Sequence, residues 1–147
     1  MPIKDLADKI LLKELIDNIS IYGDKKDFDK QVQLFSSDAI SETFMNGKSL
    51  LKLKGRIEMK AAFAEFLKDY DVVYHFNGQQ KLTINQDKAT ATGVIYCLIT
   101  LIGIENHKKI KTSIGATYQD EYVFENGQWL IAKRIGNFEW QDKIEVV

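Results

Sequence analysis

The chain of 147 residues holds one cysteine and one proline, and each scarcity excludes something. Cys97 alone cannot close an internal disulfide, which fits a reducing compartment and points to the cytoplasm. Pro2 lies ahead of every candidate element, so no proline interrupts a strand ladder further on. Lysine and arginine total 20 against 21 acidic residues, and the formal net charge is -1. Without a basic surplus, neither nucleic acid nor an anionic membrane is expected as a partner. No apolar run approaches the roughly 18 residues that would cross a bilayer. Met1 to Asp5 turns charged at once, without the apolar core of a signal peptide. Two histidines far apart in the chain make no metal site, and neither a glycine-rich phosphate loop nor a Gly-x-Ser-x-Gly elbow occurs, so no metal and no cofactor is expected.

What is present is a 45% apolar chain whose length suits one domain over residues 1–147. Leu6, Ile10, Leu12, Leu15, Ile16, Ile19 and Tyr22 recur at three- and four-residue spacing, predicting an amphipathic helix that stops near Gly23, where glycine could take a left-handed cap. Asp27 is placed to cap a shorter helix through Phe28, Val32, Leu34 and Phe35, ended by Ser36 to Asp38. Ala39 to Met45 alternates and turns at Asn46-Gly47. Leu50, Leu51 and Leu53 then read as a short strand or crossover ending at Gly55. Arg56 to Tyr70 reads as a third helix, with Met59, Phe63, Phe66, Leu67 and Tyr70 on one face.

From Val72 the period is two. Four strands are predicted, 72–85, 88–104, 108–124 and 128–140, with Asn126-Gly127 as the strongest hairpin signal. Such long arms favour a strongly twisted, curved sheet. Helices first and an antiparallel meander last predict an α+β domain: a half-open cone of sheet covered by helices. Val94 to Ile104 is apolar on both faces, so a second cover is needed beyond the helices, and another subunit is the expected one.

Few residues here suit chemistry. His107 sits in a polar turn beside Lys108 and Lys109 and reads as solvated, while Cys97 reads as a small core residue. His75 shares a strand face with Val73 and Asn77, opposite Tyr74 and Phe76, and taken alone reads as structural. Asp24, just after a helix-ending glycine, reads alone as a turn or capping residue.

Several phrases give these two residues more weight. They are Ile19 to Asp29 with Tyr22, Asp24 and Asp27; Leu34 to Ala39; Gly55 with the helix behind it; His75 to Gly78 with Leu82 to Ile84 and Lys88 to Gly93; and Gly115 to Tyr122 followed by Asn126 to Ile131 and Arg134. In this order they resemble the SnoaL-like branch of the nuclear transport factor 2-like (cystatin-like) superfamily over almost the whole chain. The resemblance implies a cone of curved sheet, three helices over its concave side and a pocket between. Similar members include cofactor-independent lyases: scytalone dehydratases, bile acid 7α-dehydratases and hexachlorocyclohexane dehydrochlorinases. There an aspartate after the first helix pairs with a histidine on the first long strand, and Asp24 and His75 fall on those positions.

The pairing is chemically coherent. An imidazole, with an unperturbed pKa near 6.5, can take a proton from carbon at neutral pH. A carboxylate on its other nitrogen fixes the tautomer and stabilises the imidazolium. The chain also departs from the family pattern. No arginine occurs on the third long strand around Tyr122 to Glu125, and Leu98-Ile99 stands where an aspartate is expected. Arg134 is near the place of a last-strand arginine, close to Phe138, but alternation counted from Trp129 turns it outward, as a surface or interface residue. Tyr22, Tyr96, Tyr118 and Asn137 are the polar candidates for the pocket wall.

Two readings follow. The first is a dehydratase- or isomerase-type lyase acting on a small, mostly apolar, cyclic substrate, with His75 as base and Asp24 as its orienter. The second is a catalytically silent module of the same fold that binds a small apolar molecule. Both carry the expectation of a homo-oligomer, dimer or trimer, and of no nucleic-acid or membrane partner.

Overall fold

The computed structural model, which describes residues 1–146, places two helices first and the third between the second and third strands. The order is α1 Ile3–Asp24, α2 Phe28–Val32, β1 Phe35–Met45, β2 Lys48–Lys54, α3 Gly55–Leu67, β3 Tyr70–Ile84, β4 Thr90–Glu105, β5 Lys108–Glu125 and β6 Gln128–Glu145. All six strands form one curled, unclosed sheet in the order β2-β1-β6-β5-β4-β3. Neighbours are antiparallel except β1 and β6, which run parallel. The β4/β5, β5/β6 and β1/β2 hairpins turn at Asn106-His107, Asn126-Gly127 and Asn46-Gly47, all with positive φ, the geometry that matches strand twist in two-residue loops.

Leu12, Leu15, Ile16 and Ile19 form the buried stripe of α1 and pack with Phe35, Ile95, Tyr122, Trp129 and Ile131. A second cluster gathers Val73, Cys97, Ile99, Leu101, Ile114 and Ala116 around Leu67 of α3. Asp17 fastens α1 to the edge strand β3, accepting from Asn77 Nδ2 at 3.1 Å and Gln80 Nε2 at 3.2 Å. Asp8, buried at the other end of α1, accepts from Trp129 Nε1 at 3.1 Å.

Several boundaries differ from the sequence expectation. α1 runs on through Gly23, and the left-handed residue after it is Lys26, not the glycine. Ser36 to Asp38 belong to β1 rather than to the end of α2, because Phe35 already pairs with Ile131 of β6. Tyr70 opens β3 instead of closing α3, and β6 continues past Trp140 to Glu145. Cys97 is buried and His107 exposed.

The largest departure is one of parity. On β5 the residues Ile114, Ala116, Tyr118, Asp120 and Tyr122 alternate towards the helices. Tyr122 pairs with Ile131, but Glu121 pairs with Lys133, so Ala132 is an extra residue in β6. Arg134, Gly136 and Phe138 therefore lie opposite Asp120, Tyr118 and Ala116 and come to the inner side. A second extra residue, Glu139, returns Trp140 to the outer face, opposite Gly115. There the indole lies against the strand so closely that a Cβ on Gly115 would stand 1.9 Å from Trp140 Nε1.

The doubly apolar β4 divides cleanly. Ile95, Cys97, Ile99 and Leu101 face the core, while Tyr96 and Leu98 are each 54% exposed on the other side. Phe76, Leu98, Gly115 and Trp140 form one row across β3, β4, β5 and β6, so the outer face carries a continuous apolar band.

Candidate active site

Asp24 ends α1 against the open edge of β3. That edge has no further strand beyond it, so the His75 backbone N–H needs a partner, and it donates to Asp24 Oδ1 at 3.0 Å and Oδ2 at 3.2 Å. The same carboxylate lies 2.6 Å from His75 Nδ1. A carboxylate oxygen accepts, so Nδ1 is the donor of this contact, and in the neutral ring the lone pair then lies on Nε2. No hydrogen bond to Nε2 occurs among the described residues, and both side chains are about one-fifth exposed, at 19% and 21%. Gly23 allows the close fit: a Cβ there would meet Gln31 Nε2 at 2.9 Å and stand 4.0 Å from His75 Cε1.

His75 faces a cavity of about 520 Å³ between the helices and the concave side of the sheet. Its wall is mainly apolar: Ile19 from α1, Phe63 and Phe66 from α3, Ile99 and Leu101 from β4, Phe138 from β6. Polar groups are few. Ser20, Gln31 and Glu65 come from the helices, and His75, Tyr118, Arg134, Ser41 and Thr43 from the strands. Gln31 donates to the Ile19 carbonyl at 3.1 Å, while its Oε1 is buried without a partner among the described residues.

Arg134 is 8% exposed, not on the surface. Its Nε and Nη2 each donate to one oxygen of buried Asp120 at 2.8 Å, a bidentate pair, and the guanidinium carbon sits 4.3 Å from the Tyr118 ring centre. Tyr122 donates its hydroxyl to Asp120 at 2.7 Å. Burial alone would lower the Arg134 pKa, but the Asp120 charge and its hydrogen bonds win and raise it above the ordinary arginine value. Burial, then the neighbouring Cys97, push the Tyr118 phenol up, so it stays protonated. The Cys97 thiol is pushed up to about 12, first by burial, with Arg134 opposing and Asp24 adding to the rise. The thiol is inert as a nucleophile.

The six sequence candidates therefore divide. Asp24 and His75 are in contact, and Tyr118 lines the cavity. Tyr96 does not, because its parity on β4 turns it to the exposed face. Asn137 is turned to the outer side by the extra residue Ala132, with Thr117 and Phe44 as its strand partners. Tyr22 is half-buried on α1 and also outside the cavity wall. Arg134, Gln31 and the Asp120 behind Arg134 are the groups sequence reasoning missed or misplaced. An acid at an inward position between two inward tyrosines was a usable signal, since a buried carboxylate requires a cationic partner.

Among the described residues no cluster of three or more histidine, cysteine or acidic side chains could hold a metal ion, and no helix is long and apolar enough to cross a membrane. The SnoaL-like domain family matches residues 4–135. No curated protein matches the chain. Among solved structures, a candidate scytalone dehydratase of Novosphingobium aromaticivorans superimposes with a TM-score of 0.83 at 15% identity, covering 97% of this chain and 91% of that one. A hexachlorocyclohexane dehydrochlorinase of Novosphingobium barchaimii gives 0.79 at 19% identity, covering 95% and 92%. An NTF2-like protein with a cystatin-like fold, also of N. aromaticivorans, gives 0.72 at 18% identity, covering 92% and 84%. At such identities the likeness shows the fold, which is cystatin-like.

Proposed function

The chain belongs to the SnoaL-like domain family, and from that membership together with the Asp24–His75 contact we propose a cofactor-independent lyase of the dehydratase or isomerase type. The observation that carries the reading is the 2.6 Å contact between Asp24 and His75 Nδ1, which leaves Nε2 unpaired at the wall of a mostly apolar cavity. A base there would remove a proton from carbon, and the Asp24 carboxylate would stabilise the imidazolium that forms. Low dielectric strengthens that attraction. The cavity and its wall suit a small, mostly apolar, cyclic substrate.

Proton abstraction can be tested before the substrate is known. Cyclic ketones and hydroxy-ketones incubated with the protein in deuterated water should take up deuterium at carbon beside the carbonyl, followed by NMR. Enzyme-dependent uptake that disappears on heat denaturation is the expected result. A panel whose members bind in the cavity without any exchange would instead favour the silent binding module.

The outer apolar band is the face through which copies of the chain associate, since monomers rarely expose a contiguous apolar patch of more than a few hundred Å². Tyr74, Phe76, Tyr96 and Leu98 supply most of it. Sedimentation should give a dimer or trimer at micromolar concentration, and Leu98→Lys should shift it towards monomer without loss of secondary structure. A wild-type protein that sediments as monomer at that concentration removes the interface.

A further inference from the structure

Three buried polar side-chain atoms lack a partner among the described residues, and only one of them, Gln31 Oε1, belongs to a side chain of the cavity wall. Buried acceptors are normally satisfied, so an orphan in this place needs a reason. The direction of the amide follows from Gln31 Nε2, which donates to the Ile19 carbonyl at 3.1 Å; reversed, it would set two oxygens against each other. Ile19 lies inside α1, where its carbonyl already accepts the N–H four residues on, that of Gly23. The bond from Gln31 is a second one on a satisfied group, and giving it up strands nothing on α1. Gly23 in turn keeps room for the amide. Glycine is a weaker helix former than alanine, yet a Cβ at this position would stand 2.9 Å from Gln31 Nε2 and 4.0 Å from His75 Cε1. Carboxamide and imidazole thus flank one backbone position of the cavity wall.

We propose that Gln31 is a positioning residue for the ligand of this cavity: its carboxamide turns from α1 towards the hollow, and Oε1 accepts a hydroxyl of the bound ring. Oε1 is closed off from water in this structure, so the turn is part of the binding step. It exchanges one neutral hydrogen bond for another and ends the isolation of a buried oxygen. The inference deepens the lyase reading and rests on it for the reaction. A hydroxyl held at Gln31, next to the imidazole, decides which carbon of the ring faces His75 Nε2. The ligand class that follows is a mostly apolar ring alcohol, distinguished from the ketone of the same size by the donor it brings.

The test compares 1-indanol with 1-indanone, rings of one size that differ in the donor. Both are titrated by NMR into the folded His75→Ala protein, where no imidazole can accept the hydroxyl. The preference for alcohol over ketone should be about 3- to 10-fold larger there than in His75→Ala/Gln31→Met, the range of one neutral hydrogen bond. A Gln31 that only supports the structure would change both affinities together and leave their ratio alone. Gln31→Glu on the same background should raise the preference, because a carboxylate is the stronger acceptor and is repelled by the Ile19 carbonyl towards the cavity. If the methionine variant does not fold by circular dichroism, the direction of change in Gln31→Glu decides. A ratio unmoved by Gln31→Met, a ratio not raised by Gln31→Glu, or no saturable binding of either ring overturns the proposal. Because no turnover is involved, the expected ratios alongside absent deuterium exchange in the wild-type protein leave the Gln31 site standing and remove the lyase. Exchange with an unmoved ratio removes the Gln31 site alone.

Discussion

Replacing His75 by alanine is expected to slow deuterium uptake into a bound ketone by about 10²- to 10⁴-fold, the usual contribution of a positioned general base. Asp24→Asn should cost a comparable factor for a different reason. The amide can turn its NH₂ to His75 Nδ1, which places the ring proton on Nε2 and leaves no lone pair towards the cavity. Even with the amide oxygen facing the ring, the charge that would stabilise the imidazolium is gone. Because base and orienter act as a unit, the Asp24→Asn/His75→Ala double variant should be no slower than the worse single variant. Asp24 also accepts the His75 backbone N–H, so asparagine, which keeps an acceptor, is a cleaner probe than alanine. Uptake in His75→Ala within tenfold of wild type would mean that another group is the base.

The second large effect concerns stability. Arg134→Met alone leaves the Asp120 carboxylate, whose side chain has no solvent exposure, with only the Tyr122 hydroxyl as partner. Stranding a buried charge in this way costs about 3–5 kcal/mol, which for a chain of this size lowers Tm by on the order of 10 °C. In the Arg134→Met/Asp120→Asn variant no charge is stranded, and asparagine can still accept from Tyr122, so much of the loss should be recovered. Urea unfolding of the two variants beside wild type measures the difference. Equal stability of single and double variants would show that the pair is not coupled as its geometry requires.

The fold was largely readable because each level of the chain points the same way. Heptad-like spacing of Leu12, Leu15, Ile16 and Ile19, the Asp27 cap and three Asn-led turns all agree with the observed elements. Asp24 and His75 were found through family resemblance and not through physics, since an aspartate behind a helix-ending glycine and a histidine in a strand are both ordinary features. Their contact depends on a pairing 51 residues apart along the chain, which no local pattern encodes.

The errors have one main cause. Counting by twos along a strand assumes an unbroken ladder, and β6 breaks it twice, at Ala132 and Glu139. Arg134 was turned outward and Asn137 inward by that assumption, and the structure reverses both. Tyr96 failed differently: β4 is apolar on both faces, so parity existed but nothing in the sequence said which side was the core. Once Asp120 is seen on the inner side of β5, the need for a cation opposite it would have identified Arg134.

A single surplus residue in the final strand thus governs which half of that strand's side chains the hollow can see. With Ala132 bulged out of the ladder, a guanidinium and an aromatic ring look in; were the same residues paired without that bulge, Lys133 and Ile135 would look in instead. How one residue is seated at a strand kink therefore decides what the interior presents to a guest, with every neighbouring amino acid left as it was.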